Sequence, residues 1–217
     1  MKLKLVAKVK TSVIGLDSFI GRMIDKYPEI DSFKHELFEF VEHSGCKKIE
    51  FTGFEAGNLP LKGISLTNGL LMTADILNDT KEGLMFIFFH EMAHQYQYRL
   101  YGQKRMYAAY LGELPLDEAV EFVKKMEQEA DEFAEKKCLE YVKKGLLDSN
   151  KIDRGVYHKY PDSIFKMQIK EMQKLVSMLG TKDPDKLGAI IYNIIKSGVN
   201  VFSGFNKATD ILKNILK

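Results

Sequence analysis

The side chains best placed to do chemistry stand within five positions of one another: His90, Glu91 and His94, in the run His-Glu-Met-Ala-His. On a helix, residues four apart lie one turn above each other. His90 and His94 can therefore turn ring nitrogens toward a single ion, with Glu91 about 100° round beside them. Two imidazoles and a carboxylate at this spacing form a zinc site with a base next to it. The residues just before them, Leu84-Met-Phe-Ile-Phe-Phe89, are apolar on every side, which predicts a buried helix. Buried imidazole and carboxylate need a metal or close partners to offset lost hydration, and the alternative to a metal is a hydrogen-bonded cluster in the core.

The element that carries these residues has readable ends. Asn78-Asp79-Thr80 offers a cap, and Gly102 ends a helix that runs to about Tyr101. A second helix is expected from Pro115 to Lys144, with Gly145 as its terminator. With Glu127 of that helix at 0°, Leu116, Val120, Val123, Ala130, Asp131, Ala134, Cys138 and Tyr141 all fall within about 60° of it. Glu127 and Asp131 thus sit inside an apolar stripe, whereas Glu129, Glu132 and Glu135, at about 200°, 140° and 80°, are expected on a solvated face. A carboxylate in such a stripe needs a cation. Glu127 is read as the third metal ligand, the alternative being a lysine across the interface. Asp131, one turn on, is placed to accept a hydrogen bond from the outer nitrogen of a ligand histidine.

Taken together, His90-Glu-Met-Ala-His94 and Glu127-Gln-Glu-Ala-Asp131-Glu-Phe-Ala134 resemble the paired motifs of the gluzincin metallopeptidases, His-Glu-x-x-His followed by Glu-x-x-x-Asp on a later helix. The form of the second motif is similar to that of minigluzincins, of CAAX-type membrane proteases and of the repressor-cleaving metalloproteases of mobile elements. The likeness spans roughly Ile64 to Tyr141. It implies a zincin-like fold, zinc held by His90, His94 and Glu127, Asp131 behind the ligands, and peptide or protein substrates. Unlike the CAAX-type enzymes the chain shows no membrane span, and unlike the repressor-cleaving ones it has no clear nucleic-acid-binding motif.

The rest of the chain must position these helices. Helix-period apolar residues at 13–25 and 29–44 predict two N-terminal helices separated by Tyr27-Pro28. His35 and His43, in the second, lack a ligand-like neighbour. Period-two alternation over Lys47–Phe54, and two short apolar runs flanking Asn68-Gly69, predict a three-stranded sheet with a type I′ hairpin. The fold class expected is α+β, a small mainly antiparallel sheet packed on the active-site helix and the glutamate helix. Residues 1–150 are read as the metallopeptidase domain and 151–217 as a helical C-terminal extension packed on it. Two or three helices are expected there, around Ile164–Leu179, Leu187–Ile195 and Ile211–Leu216.

Composition narrows the class. Hydrophobic residues at 45% and charged residues at 29% are those of a folded globular chain. The N-terminal apolar run is broken by Lys8 and Lys10, and no stretch approaches the ~18 apolar residues of a span, so a soluble cytoplasmic protein is expected. Cys46 and Cys138 have no metal-ligand spacing and are read as ordinary thiols. The net charge of +2 conceals a basic tail, since residues 151–217 hold 12 Lys/Arg against 6 Asp/Glu. That tail is a solvated face, a surface for an acidic partner or a cover for the cleft.

The chemistry that follows is hydrolysis. A zinc with three protein ligands keeps an open position where water is acidified to a pKa of ~7, and Glu91 would take the proton and pass it to the leaving amine. A tyrosine or histidine could steady the developing oxyanion. Tyr157 and His158 are candidates, as are Tyr96, Tyr98 and Tyr107, and a strand of residues 61–73 could pair with an extended substrate. The alternatives to an enzyme are a zinc-stabilised regulatory module and a structural component with little or no turnover.

Overall fold

The computed structural model describes residues 12–51, 63–67, 69–152 and 159–196. The chain is mostly helical, with one small sheet. It opens with α1 (Leu16–Lys26), a 3-10 stretch (Pro28–Phe33) and α2 (Lys34–Ser44), then β1 (Ile49–Phe51), β2 (Gly63–Leu66) and β3 (Gly69–Met72). After a 3-10 turn at Ala74–Asn78 come α3 (Lys81–Tyr101), the short α4 (Gln103–Tyr107), α5 (Leu116–Lys143), α6 (Asp162–Leu179) and α7 (Pro184–Lys196). Both N-terminal helices and the two expected between 160 and 196 are present. The third C-terminal helix, around Ile211–Leu216, lies outside the described residues.

The sheet departs from expectation in two ways. Its order is β1-β3-β2, with β1 parallel to β3 and β2 antiparallel to it, so it is mixed rather than mainly antiparallel. Alternation along single strands carries no sign of direction, so it could not show that β1 pairs parallel to β3. Gly15, at φ +81°, lets the start of α1 lie against β1, where a Cβ would come within 2.2 Å of the Ile49 carbonyl oxygen. The hairpin is also shifted by one residue. Gly69 pairs with Leu66 as the first residue of β3, so Thr67 and Asn68 make the connection, Asn68 lying outside the described residues. β3 is central and buried on both faces, as its unbroken Gly-Leu-Leu-Met run requires.

α3 is the axis of the molecule. Thr80 caps it by accepting from the Gly83 backbone N–H at 3.1 Å, and Gly102 ends it at φ +80°. From Leu84 to Ala93 no residue is more than 8% exposed. Aromatic rings wrap the first half: Phe88 lies against Phe19 and Phe40, and Phe89 against Phe40 and Tyr141. The sheet lies on one side and α5 on another, and Ala130 and Ala134, both fully buried, let α5 approach closely. Gln95, 2% exposed, clamps the hairpin to α3 by donating to the Leu66 and Gly69 carbonyls at 2.8 and 3.2 Å and to the Ser65 hydroxyl.

The C-terminal helices pack on this body. Phe165 and Ile169 of α6 meet Val120 and Val123 of α5, while Leu175 and Val176 join Leu187 of α7 against Leu66, Leu71 and Tyr107. Met167 of α6 is 55% exposed, because the buried face centres on Phe165 and Ile169. Cys46 and Cys138 are buried and unlinked. No helix among the described residues is long and apolar enough to cross a membrane.

Candidate metal centre

α3 and α5 bring their chemical residues together across one interface. His90 and His94 project from consecutive turns of α3, and Glu127 faces them from α5. The two histidine Nε2 atoms are 3.2 Å apart; Glu127 Oε2 is 3.1 Å from His90 Nε2, and Glu127 Oε1 is 3.7 Å from His94 Nε2. Donors around a tetrahedral ion with bonds of ~2.0–2.1 Å are about 3.3 Å apart, so these separations fit a small cation. His90, His94 and Glu127 could hold a metal ion. Among the described residues Glu127 is matched with these imidazoles and not with a lysine.

The hydrogen bonds behind the two imidazoles are consistent with this. His90 Nδ1 lies 3.0 Å from Asp131 Oδ1, and His94 Nδ1 lies 2.7 Å from Gln97 Oε1. Each acceptor holds a proton on Nδ1 and leaves Nε2 facing inward. Two inward lone pairs at 3.2 Å repel, so a proton or a metal cation must lie between them. Asp131 is 1% exposed and stands where the one-turn spacing from Glu127 put it.

Charge in the pocket is strongly coupled. Burial opposes protonation of His90, yet the Asp131 and Glu127 carboxylates outweigh it and raise its pKa from 6.5 to about 10. Burial likewise opposes ionisation of Glu127, but the imidazoles of His94 and His90 hold its carboxyl below the ordinary value. Glu91 goes the other way: burial pushes its carboxyl up, against the pull of His94 and His90 and of the Ser65 backbone N–H that bonds it. Glu91 is packed between α3 and β2. A Cβ on Gly63 would sit 2.8 Å from Glu91 Cγ, so only glycine leaves this carboxylate its place.

These shifts would set the pH dependence of metal uptake at such a site. With its pKa raised, His90 favours the protonated form at neutral pH, and a ligand imidazole must be unprotonated, so binding of an ion here would release a proton. Affinity is expected to fall about tenfold for each pH unit lowered below the folded His90 pKa. Zinc titration calorimetry in buffers of different ionisation enthalpy measures the proton count, and an affinity flat between pH 6.5 and 8.5 would contradict it.

Other expectations divide. Glu129, expected on the solvated face, is 8% exposed. Met126 and Phe133, at about −100° and −120° from Glu127, are buried as well, so the enclosed arc of α5 is wider than the stripe and Glu129 lies at its margin. There it accepts from Tyr101 and from Gln97, two polar side chains of α3. Tyr96 points into the core with its hydroxyl 3.4 Å from the Phe40 carbonyl. Tyr98 donates to the Ser65 carbonyl at 3.3 Å, and Tyr107 accepts from Thr67 at 3.2 Å, beside the hairpin. Tyr157 and His158 lie outside the described residues. His35 and His43 sit on α2, apart from the ligand set. Gln97 went unread, although its i,i+3 position after His94 was a usable signal. The chain finds no match among protein-family models, curated proteins or solved structures.

Proposed function

We propose that this chain is a zinc-dependent metallopeptidase of zincin-like fold, with His90, His94 and Glu127 as ligands and Glu91 as general base. The observation that carries the reading is the convergence of two Nε2 atoms and a carboxylate, with a second buried carboxylate on the next residue of the same helix. A zinc ion bound there supplies Lewis acidity, polarising a carbonyl and acidifying water. The two imidazoles and one carboxylate suit zinc, and three protein ligands leave room for a reactant.

The chain's own groups do the rest. Glu91, held by the Ser65 N–H and raised in proton affinity by burial, is suited to accept a proton from the attacking water and return it to the leaving amine. Asp131 and Gln97 keep the imidazoles turned inward. The ligand helix excludes water from one side of the centre through Phe86, whose ring stacks 6.5 Å from that of His90. β2, an outer strand of the sheet, lies beside Glu91, and its Ser65 N–H and carbonyl meet Glu91 and Tyr98.

The test is cleavage of an unfolded protein substrate by zinc-loaded protein. Cleavage should stop with chelator and return with zinc. Zinc-loaded, folded protein that leaves a diverse peptide library intact would overturn the peptidase reading in favour of a metal-stabilised binding module.

A further inference from the structure

Resting on the reading of His90, His94 and Glu127 as a metal centre, we propose that Gln97 and Glu129, backed by Tyr101, form a positioning relay. It fixes which nitrogen of His94 faces the ion and holds the ring there. The two ligand histidines are oriented by different devices. His90 bonds a carboxylate directly, at 3.0 Å from Asp131. His94 bonds a neutral amide, at 2.7 Å from Gln97 Oε1.

An amide can turn either end to its neighbour, so something must set its direction. Gln97 Nε2 meets two acceptors, the Met126 carbonyl at 2.9 Å and Glu129 Oε2 at 3.3 Å. Those acceptors claim the NH2 end and leave Oε1 to face His94. With an acceptor opposite Nδ1, the His94 proton stays on Nδ1 and the Nε2 lone pair points to the centre. Glu129 is held in turn by the Tyr101 hydroxyl, 2.8 and 3.0 Å from its two oxygens. Gln97 is fully buried and Glu129 is 8% exposed, so the members are enclosed and fix one another's geometry. On α3, His94, Gln97 and Tyr101 follow at i, i+3 and i+7 along one face. On α5, Glu129 stands two residues beyond the ligand Glu127. The relay thus ties the orientation of one ligand to the helix that supplies another. It also keeps a carboxylate's charge one side chain further from His94 than Asp131 is from His90.

The rival account is that these bonds only tether α3 to α5. Zinc competition against a chelator, and the visible spectrum of the Co2+-substituted protein, separate the two. Gln97→Met removes the acceptor at similar size and should weaken zinc binding about 10–100-fold, with a changed Co2+ spectrum. A tether alone would lower the melting temperature in chelator while leaving the zinc Kd and Co2+ spectrum at wild-type values, which would overturn the relay. Should Gln97→Met not fold, Glu129→Leu and Tyr101→Phe decide it, a weaker Kd supporting the relay and an unchanged one refuting it. Wild-type protein that takes up neither Zn2+ nor Co2+ would remove the metal reading and the relay together.

Discussion

Replacing Glu91 by glutamine is expected to leave the metal bound and to lower peptide hydrolysis by about 10²–10⁴-fold, the usual contribution of a positioned base. Glutamine preserves the shape that the space beside Gly63 admits, and its Oε1 still offers an acceptor to the Ser65 N–H. What it cannot do is take a proton. The three ligand side chains are untouched, so elemental analysis should find wild-type zinc content while turnover collapses. A Glu91→Gln protein that cleaves at the wild-type rate would remove Glu91 from the reaction, whatever the metal does.

The second large effect concerns stability and needs no activity at all. Asp131 is 1% exposed and faces His90, itself 2% exposed. His90→Leu takes away the imidazole partner of a buried carboxylate, and breaking such a pair costs about 3–5 kcal/mol by the measure of other broken buried pairs. The metal-free protein, unfolded by urea in chelator, should show this loss. A second change, Asp131→Leu, should recover most of it, because replacing both members of a buried pair by apolar groups is often neutral. Equal stability of the single and double variants would show that Asp131 does not depend on His90.

How far the sequence carried this reading depends on whether a feature is local. The ends of α3 were readable because a capping threonine and a terminating glycine act within a turn of themselves. Glu127 and Asp131 stood out because a charged residue in an apolar stripe is conspicuous on one helix alone. Glu129 was misplaced because its cover comes from another helix: the Gln97 amide and Tyr101 hydroxyl make a polar lining that no count of apolar neighbours detects. The parallel pairing of β1 with β3 was hidden for a similar reason, since it depends on the meeting of distant segments. The hairpin was found, but the Asn-Gly signal put its turn one residue late, because Gly69 serves the ladder rather than the loop.

The enclosure of α3 has a consequence for how the protein breathes. Native proteins open in cooperative units, and the last to open are those with the most buried apolar contact. Here the imidazoles ride on the helix that meets the sheet, α2 and α5 at once, and the residue before His90 is fully buried among aromatic rings. A site on a peripheral loop could lose its ion through a small local fluctuation. In the proposed site His90 and His94 ride on this enclosed helix, so the opening that would scatter them is expected to be a large part of the opening of the fold.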